Sequence, residues 1–101
     1  MTLPPADSPS PTPPPAGPTA RVTVRYWAAA REAAGVREEA LEVPGAGAPV
    51  AEVLAEAVRR HPALGPVLPV CSLLVDGRVV GREGALPAGA VLEVLPPFAG
   101  G

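Results

Sequence analysis

Ala90-Val-Leu-Glu-Val-Leu95, stopped by Pro96-Pro97, is the stretch on which the fold turns. Its dense apolar run is that of a strand buried in the middle of a sheet. The two prolines offer no ladder N–H, so the strand ends there. A central strand needs neighbours, and the best match is Arg21-Val-Thr-Val-Arg-Tyr-Trp27. There Val22, Val24 and Tyr26 alternate with Arg21, Thr23 and Arg25, the period of a half-buried strand. These first and last strands are therefore placed side by side at the centre of the sheet.

The intervening sequence supplies the rest. Ala28–Ala34 is helix-forming, with Gly35 placed to end it. Alternation resumes over Val36–Val43, with Leu41 and Val43 inward. Pro44–Ala48 reads as a loop, and Pro49 sits near the first position of a helix. Val50, Val53, Leu54, Ala57 and Val58 give that helix one apolar face, with acidic residues early and Arg59 and Arg60 late, before Pro62 ends it. Ala63–Val70 reads as an irregular turn laid on the core. Cys71–Val75 is a strand, Asp76-Gly77 a two-residue hairpin turn, Arg78–Val80 a short strand and Gly81–Gly89 a loop. The expected fold is α+β: a mixed sheet of about five strands with one main helix across one face, the β-grasp (ubiquitin-like) arrangement.

Composition sets the domain limits. Eight of the 16 prolines fall in residues 1–20, where Met1 and Leu3 are the only sizeable apolar side chains. Such a segment buries too little to offset its ordering entropy, so residues 1–20 are expected to be a disordered Pro-rich extension. Residues 21–97 form the β-grasp domain and 98–101 a flexible C-terminal Gly-Gly tail. The net charge of −2 and the absence of a basic cluster larger than Arg59-Arg60 argue against nucleic acid. No apolar run reaches the length of a membrane span. The single cysteine, Cys71, excludes an internal disulfide and points to a reducing, cytoplasmic setting.

No catalytic constellation is visible. His61 has no second imidazole or cysteine at metal-ligand spacing and reads as a helix-terminal cap, and no metal site is expected. Cys71 reads as a small buried hydrophobe. Glu32, Glu38 and Glu39 read as solvated surface charge. The chain's end is different. Gly100-Gly101, projecting beyond a proline stop, can thread a narrow channel, and the reactive group there is the Gly101 α-carboxylate. A carboxylate needs activation as a mixed anhydride, which implies a nucleotide-using partner.

At this point residues 21–101 resemble the sulfur-carrier (small) subunit of molybdopterin synthase, among the ubiquitin-like sulfur carriers. The matching stretches are Ala30-Arg-Glu-Ala-Ala-Gly35, Val50-Ala-Glu-Val-Leu54, Arg60-His-Pro-Ala-Leu64, Val75-Asp-Gly77 and, above all, Leu95-Pro-Pro-Phe-Ala-Gly-Gly101. Pro87-Ala-Gly-Ala90 and Phe98 depart from the family's usual acidic turn and smaller β-branched residue. The resemblance implies that Gly101 is adenylated and then converted to a thiocarboxylate, which donates sulfur to a pyranopterin precursor. Gly100 and Ala99 would give clearance in a partner's channel. Phe98, with Leu95, Pro96 and Pro97, would form an exposed apolar patch for partner contact. The implied partners are an adenylyltransferase (activating enzyme, with a rhodanese fusion as one form) that uses ATP and Mg²⁺, and a large synthase subunit, in a heterotetramer. The chain itself would bind no cofactor and would not be an enzyme alone. A carrier for thiamine or cysteine synthesis, a protein modifier, and a β-grasp interaction module without terminal chemistry are the alternatives.

Overall fold

The computed structural model describes residues 19–45 and 47–97. The expectations for the extension (residues 1–18) and for Phe98, Ala99, Gly100 and Gly101 lie outside the described residues. The seven elements of the expected order are all present, but the first strand begins earlier than read. Strand β1 runs Thr19–Tyr26, and Ala20 is fully buried, so the domain takes in the last two residues assigned to the extension. After β1 come α1 (Ala28–Ala34), β2 (Glu38–Pro44), β3 (Ala48–Pro49), α2 (Val50–Arg60), β4 (Ser72–Val75), β5 (Arg78–Val79), β6 (Ala85–Leu86) and β7 (Val91–Leu95). Two short 3₁₀ turns, Pro62–Leu64 and Leu68–Val70, fill the connection after α2.

The main sheet has the order β2-β1-β7-β4-β5. β1 and β7 are adjacent, as expected, and parallel, with Thr23, Val24, Arg25 and Tyr26 opposite Val91, Leu92, Glu93 and Val94. All other pairings in this sheet are antiparallel. A parallel pair cannot be joined by a hairpin, so the chain crosses between β1 and β7 by way of β2, α2 and β4. Along β1, Ala20, Val22, Val24 and Tyr26 are buried, and they meet Val50, Val53, Leu54 and Ala57 of α2 in one core with Leu41, Leu73, Leu92 and Val94. The other side of α2 carries charge. There, hydrogen bonds from Arg59 and Arg60 hold the Glu56 carboxyl down at about 2.

Two local details follow from backbone chemistry. Gly35 ends α1 in the left-handed region at φ 77°, its N–H returning to the Arg31 carbonyl at 2.8 Å. Asp76 and Gly77 both have positive φ (52° and 77°), the turn that matches the twist of a two-residue hairpin. Three boundaries differ from the reading. Pro49 is the residue before α2 rather than its first helical residue, at φ −58° and ψ 132°. Cys71 precedes β4, because its N–H closes the 3₁₀ turn on Leu68. The loop residues 48–49 and 85–86 pair as a second, two-stranded sheet, supported by Val50 N–H donating to the Gly84 carbonyl at 2.9 Å. Strands of two residues carry no periodic signal, which is why they read as loop.

Leu92, fully buried on central strand β7, tests this packing. Leu92→Ala is expected to cost about 2–5 kcal/mol by urea denaturation. Val79→Ala, on a side chain 75% exposed at the sheet edge, should change stability by no more than about 0.5 kcal/mol.

Candidate functional site

The sheet delivers the tail at one end of its central strand. β7 makes its last ladder contact at Leu95, opposite Ser72 of β4. On the other side β1 finishes at Tyr26, opposite Val94, and the Trp27 N–H donates to the Val94 carbonyl at 3.2 Å. Beyond Leu95 neither neighbour continues, and Pro96 and Pro97 have no N–H with which to extend a ladder. The described chain therefore leaves the sheet where the two flanking strands stop.

The expected apolar patch at the tail's base is corrected in part. Leu95 is half-buried and Pro97 is exposed, but Pro96 is buried. Pro96 thus anchors the chain on the body, and Pro97 is its one fully exposed member among the described residues. The reason lies in the alternation of β7: Leu92, Val94 and Pro96 fall on the core-facing side.

Beside this end of the sheet lies a groove of about 400 Å³ lined by Arg25, Tyr26, Trp27, Arg31, Arg37 and Glu38. Trp27 is 41% exposed at its rim. Arg25 donates from Nε to Glu38 at 3.2 Å and also faces Glu93 at 3.9 Å. Arg31 and Arg37 form no ion pair with a described residue. The backbone entering α1 is unusual, since Ala28 has φ 50°, a left-handed conformation that costs a non-glycine residue about 1 kcal/mol.

Behind the groove is a polar cluster. The Tyr26 hydroxyl donates to Glu39 Oε2 at 2.6 Å, and His61 Nε2 lies 2.8 Å from the same oxygen. Tyr26 and His61 meet edge to face at 6.2 Å, and Arg60 stands 3.9 Å from the other carboxylate oxygen. Glu39 is therefore not the solvated charge read from the sequence: its side chain is only 15% exposed. His61 is the residue that caps α2, as read, with its N–H on the Ala57 carbonyl. Its ring additionally ties that helix end to β1 and β2. These contacts join residues 13 and 22 positions apart, and no local pattern announces them.

Cys71 is buried as expected, its thiol donating to the Val67 carbonyl at 3.3 Å, and burial pushes the thiol up. No group of three or more His, Cys, Asp or Glu residues that could hold a metal occurs among the described residues. No described helix is long and apolar enough to cross a membrane.

A model of the ThiS family matches residues 24–101, from the middle of β1 to the final glycine. The chain belongs to the ThiS family. The molybdopterin synthase sulfur carrier subunit of Chlamydomonas reinhardtii is 35% identical over 83 residues, spanning 80% of this chain and 99% of that protein. Among solved structures, SAMP1 from Haloferax volcanii aligns with a TM-score of 0.71 at 28% identity, over 80% of this chain and 99% of that one. A Pyrococcus furiosus protein assigned as subunit 1 of molybdopterin converting factor aligns at 0.67 with 32% identity, over 78% and 99%. Membership of this family agrees with the β-grasp topology and with a sheet that ends where the tail begins.

The polar cluster makes a pH prediction. Burial first, then the hydrogen bond and negative charge of Glu39, push the Tyr26 hydroxyl well above its ordinary 10. The unfolded chain loses this proton more readily than the folded one. Its contribution is therefore complete below about pH 10 and is lost as pH rises past that value. The urea midpoint should fall between about pH 9 and 11, and less steeply in Tyr26→Phe, which keeps the contribution of Cys71. Tyr26 is the chain's one tyrosine, so phenolate absorbance should appear only as the protein unfolds. Near neutral pH, Tyr26→Phe should cost about 1–2 kcal/mol.

Proposed function

We propose that this chain is a sulfur carrier for molybdopterin synthesis, with the Gly101 carboxylate as its working group. The observation that carries the reading is the family match, which runs through the last residue of a chain 35% identical to a molybdopterin synthase sulfur carrier subunit. The geometry supports it: Pro96 is buried and Pro97 exposed just past the end of the sheet, and the sequence that follows ends in Gly100-Gly101.

The chemistry follows from a carboxylate that must be made electrophilic. An oxygen of the Gly101 carboxylate attacks the α-phosphate of ATP, the α–β phosphoanhydride bond breaks, and pyrophosphate leaves with its charge balanced by Mg²⁺. A sulfide-equivalent nucleophile then attacks the acyl carbon and AMP leaves with the bonding pair. The product is a C-terminal thiocarboxylate, whose sulfur is passed to the pyranopterin precursor. The activating site belongs to an adenylyltransferase, and the transfer site to a large synthase subunit in a heterotetramer. This chain contributes the acyl group and a docking surface. Ala99 and Gly100 supply clearance for the tail, and Leu95, Pro97 and Phe98 supply apolar contact at its base. The setting is cytoplasmic, where the thiol of Cys71 stays reduced.

The likeness to an archaeal modifier protein favours a second reading, attachment of the same activated carboxylate to protein amines. Both readings share the adenylation step and diverge after it, at a sulfur or a lysine nucleophile.

ATP–pyrophosphate exchange with the cognate activating enzyme tests the shared step. Exchange should depend on the chain and be abolished by removing Gly101 or by adding one alanine after it. Exchange that persists with the extended chain would overturn the proposal. Isopeptide-linked products in place of a sulfur-bearing chain would move the assignment to the modifier reading.

A further inference from the structure

The groove beside the end of β1 and β7 has a composition unusual for this chain. The protein is acidic, with a net charge of −2, and most of its arginines are matched by a carboxylate or a carbonyl. Arg31 and Arg37 are exceptions, and both line the same groove with the chain's one tryptophan at its rim. The groove's own carboxylate, Glu38, is already paired with Arg25, so the like charges of Arg31 and Arg37 are relieved by an incoming carboxylate. A guanidinium fork also binds a carboxylate bidentately.

Distance decides what reaches this groove. Four residues follow Pro97, and four extended residues span at most about 14 Å. A partner that holds the Gly101 carboxylate in its active site must therefore bring its own surface close to the end of β7. There, Trp27 is bonded to the Val94 carbonyl, and adjacent strands lie only about 4.8 Å apart. The groove edge thus lies within the partner's reach when the tail is engaged. Exposed tryptophan with arginine is also the composition that dominates binding energy at protein interfaces.

Building on the carrier reading above, we propose that the Trp27–Arg31–Arg37 groove receives an acidic segment of the adenylating partner, so that recognition of the domain and insertion of the tail occur together. Arg25 is not the recognition group, because Glu38 and Glu93 already compensate it. Docking here would fix the base of the tail and raise the effective concentration of the carboxylate at the nucleotide.

The test is ATP–pyrophosphate exchange by the purified activating enzyme over a range of carrier concentrations, with the full-length chain. Arg31→Glu/Arg37→Glu should raise KM for the carrier about tenfold or more while kcat stays within about twofold. The neutral pair Arg31→Gln/Arg37→Gln should do so to a lesser degree, and thermal melting by circular dichroism should show both variants folded. Raising the salt concentration should increase the wild-type KM and leave that of the glutamate variant nearly flat. Arg78→Glu, on β5 at the far edge of the sheet, serves as the control and should leave KM unchanged.

An unchanged KM for the carrier in both double variants would overturn the inference and leave the carrier reading standing. A change confined to the KM for ATP would also overturn it, by placing a nucleotide phosphate in the groove instead of a protein segment. If an enzyme active on another carrier fails to adenylate the wild-type chain, the carrier reading falls and this inference with it.

Discussion

The parallel pairing of β1 with β7 is the constraint on which the rest of the structure depends. It joins the first and last strands at the centre of the sheet, Thr23–Tyr26 alongside Val91–Val94. Because the pair is parallel, both strands end at the same edge. One hands the chain to Trp27 and α1, and the other hands it to Pro96 and the tail. That the chain leaves the sheet at Pro96 beside an arginine-lined groove is thus a consequence of topology. The same pairing demands a crossover, and α2 fills it with one apolar face against the buried side of the sheet.

The crossover is secured at its exit by the Tyr26–Glu39–His61 cluster. One carboxylate accepts from a residue of β1 and pairs with the residue that ends α2. Leaving any of these polar groups unpaired inside the protein would cost more than the hydrogen bonds contribute when made, so the three positions act as one. The cluster lies directly behind the groove, since Tyr26 belongs to both. Stability of the α2 end and the position of the groove wall are therefore linked through a single side chain.

Much of this was legible in the sequence because the signals are local. The alternation of Val22, Val24 and Tyr26, the apolar face of Val50, Val53, Leu54 and Ala57, and the Asp76-Gly77 turn each specify an element within a few residues. The centrality of the last strand followed from its dense apolar run, in which Glu93 is the one polar residue. What escaped was non-local or too short. Glu39 reads as one of several surface glutamates until the fold brings His61 to it from 22 residues away. The β3–β6 pairing has two residues on each side and no period. Pro96 reads as exposed with its neighbour until the alternation of β7 is continued past the strand's end. The Trp27–Arg31–Arg37 groove needs the α1–β2 turn in place before its residues share a surface. The chemistry proposed for the tail rests on the sequence alone, because a terminal carboxylate is present whatever the fold, and the sheet decides only where the chain leaves it.

The measurement that addresses the central claim most directly is the intact mass of the full-length chain. It would be taken after incubation with ATP, Mg²⁺, a sulfur donor and the cognate activating enzyme, followed by fragmentation to locate any change. The account predicts a gain equal to one oxygen replaced by sulfur, confined to Gly101 and absent when that residue is deleted. An unchanged mass, obtained with an activating enzyme shown to be competent on another carrier, would contradict it.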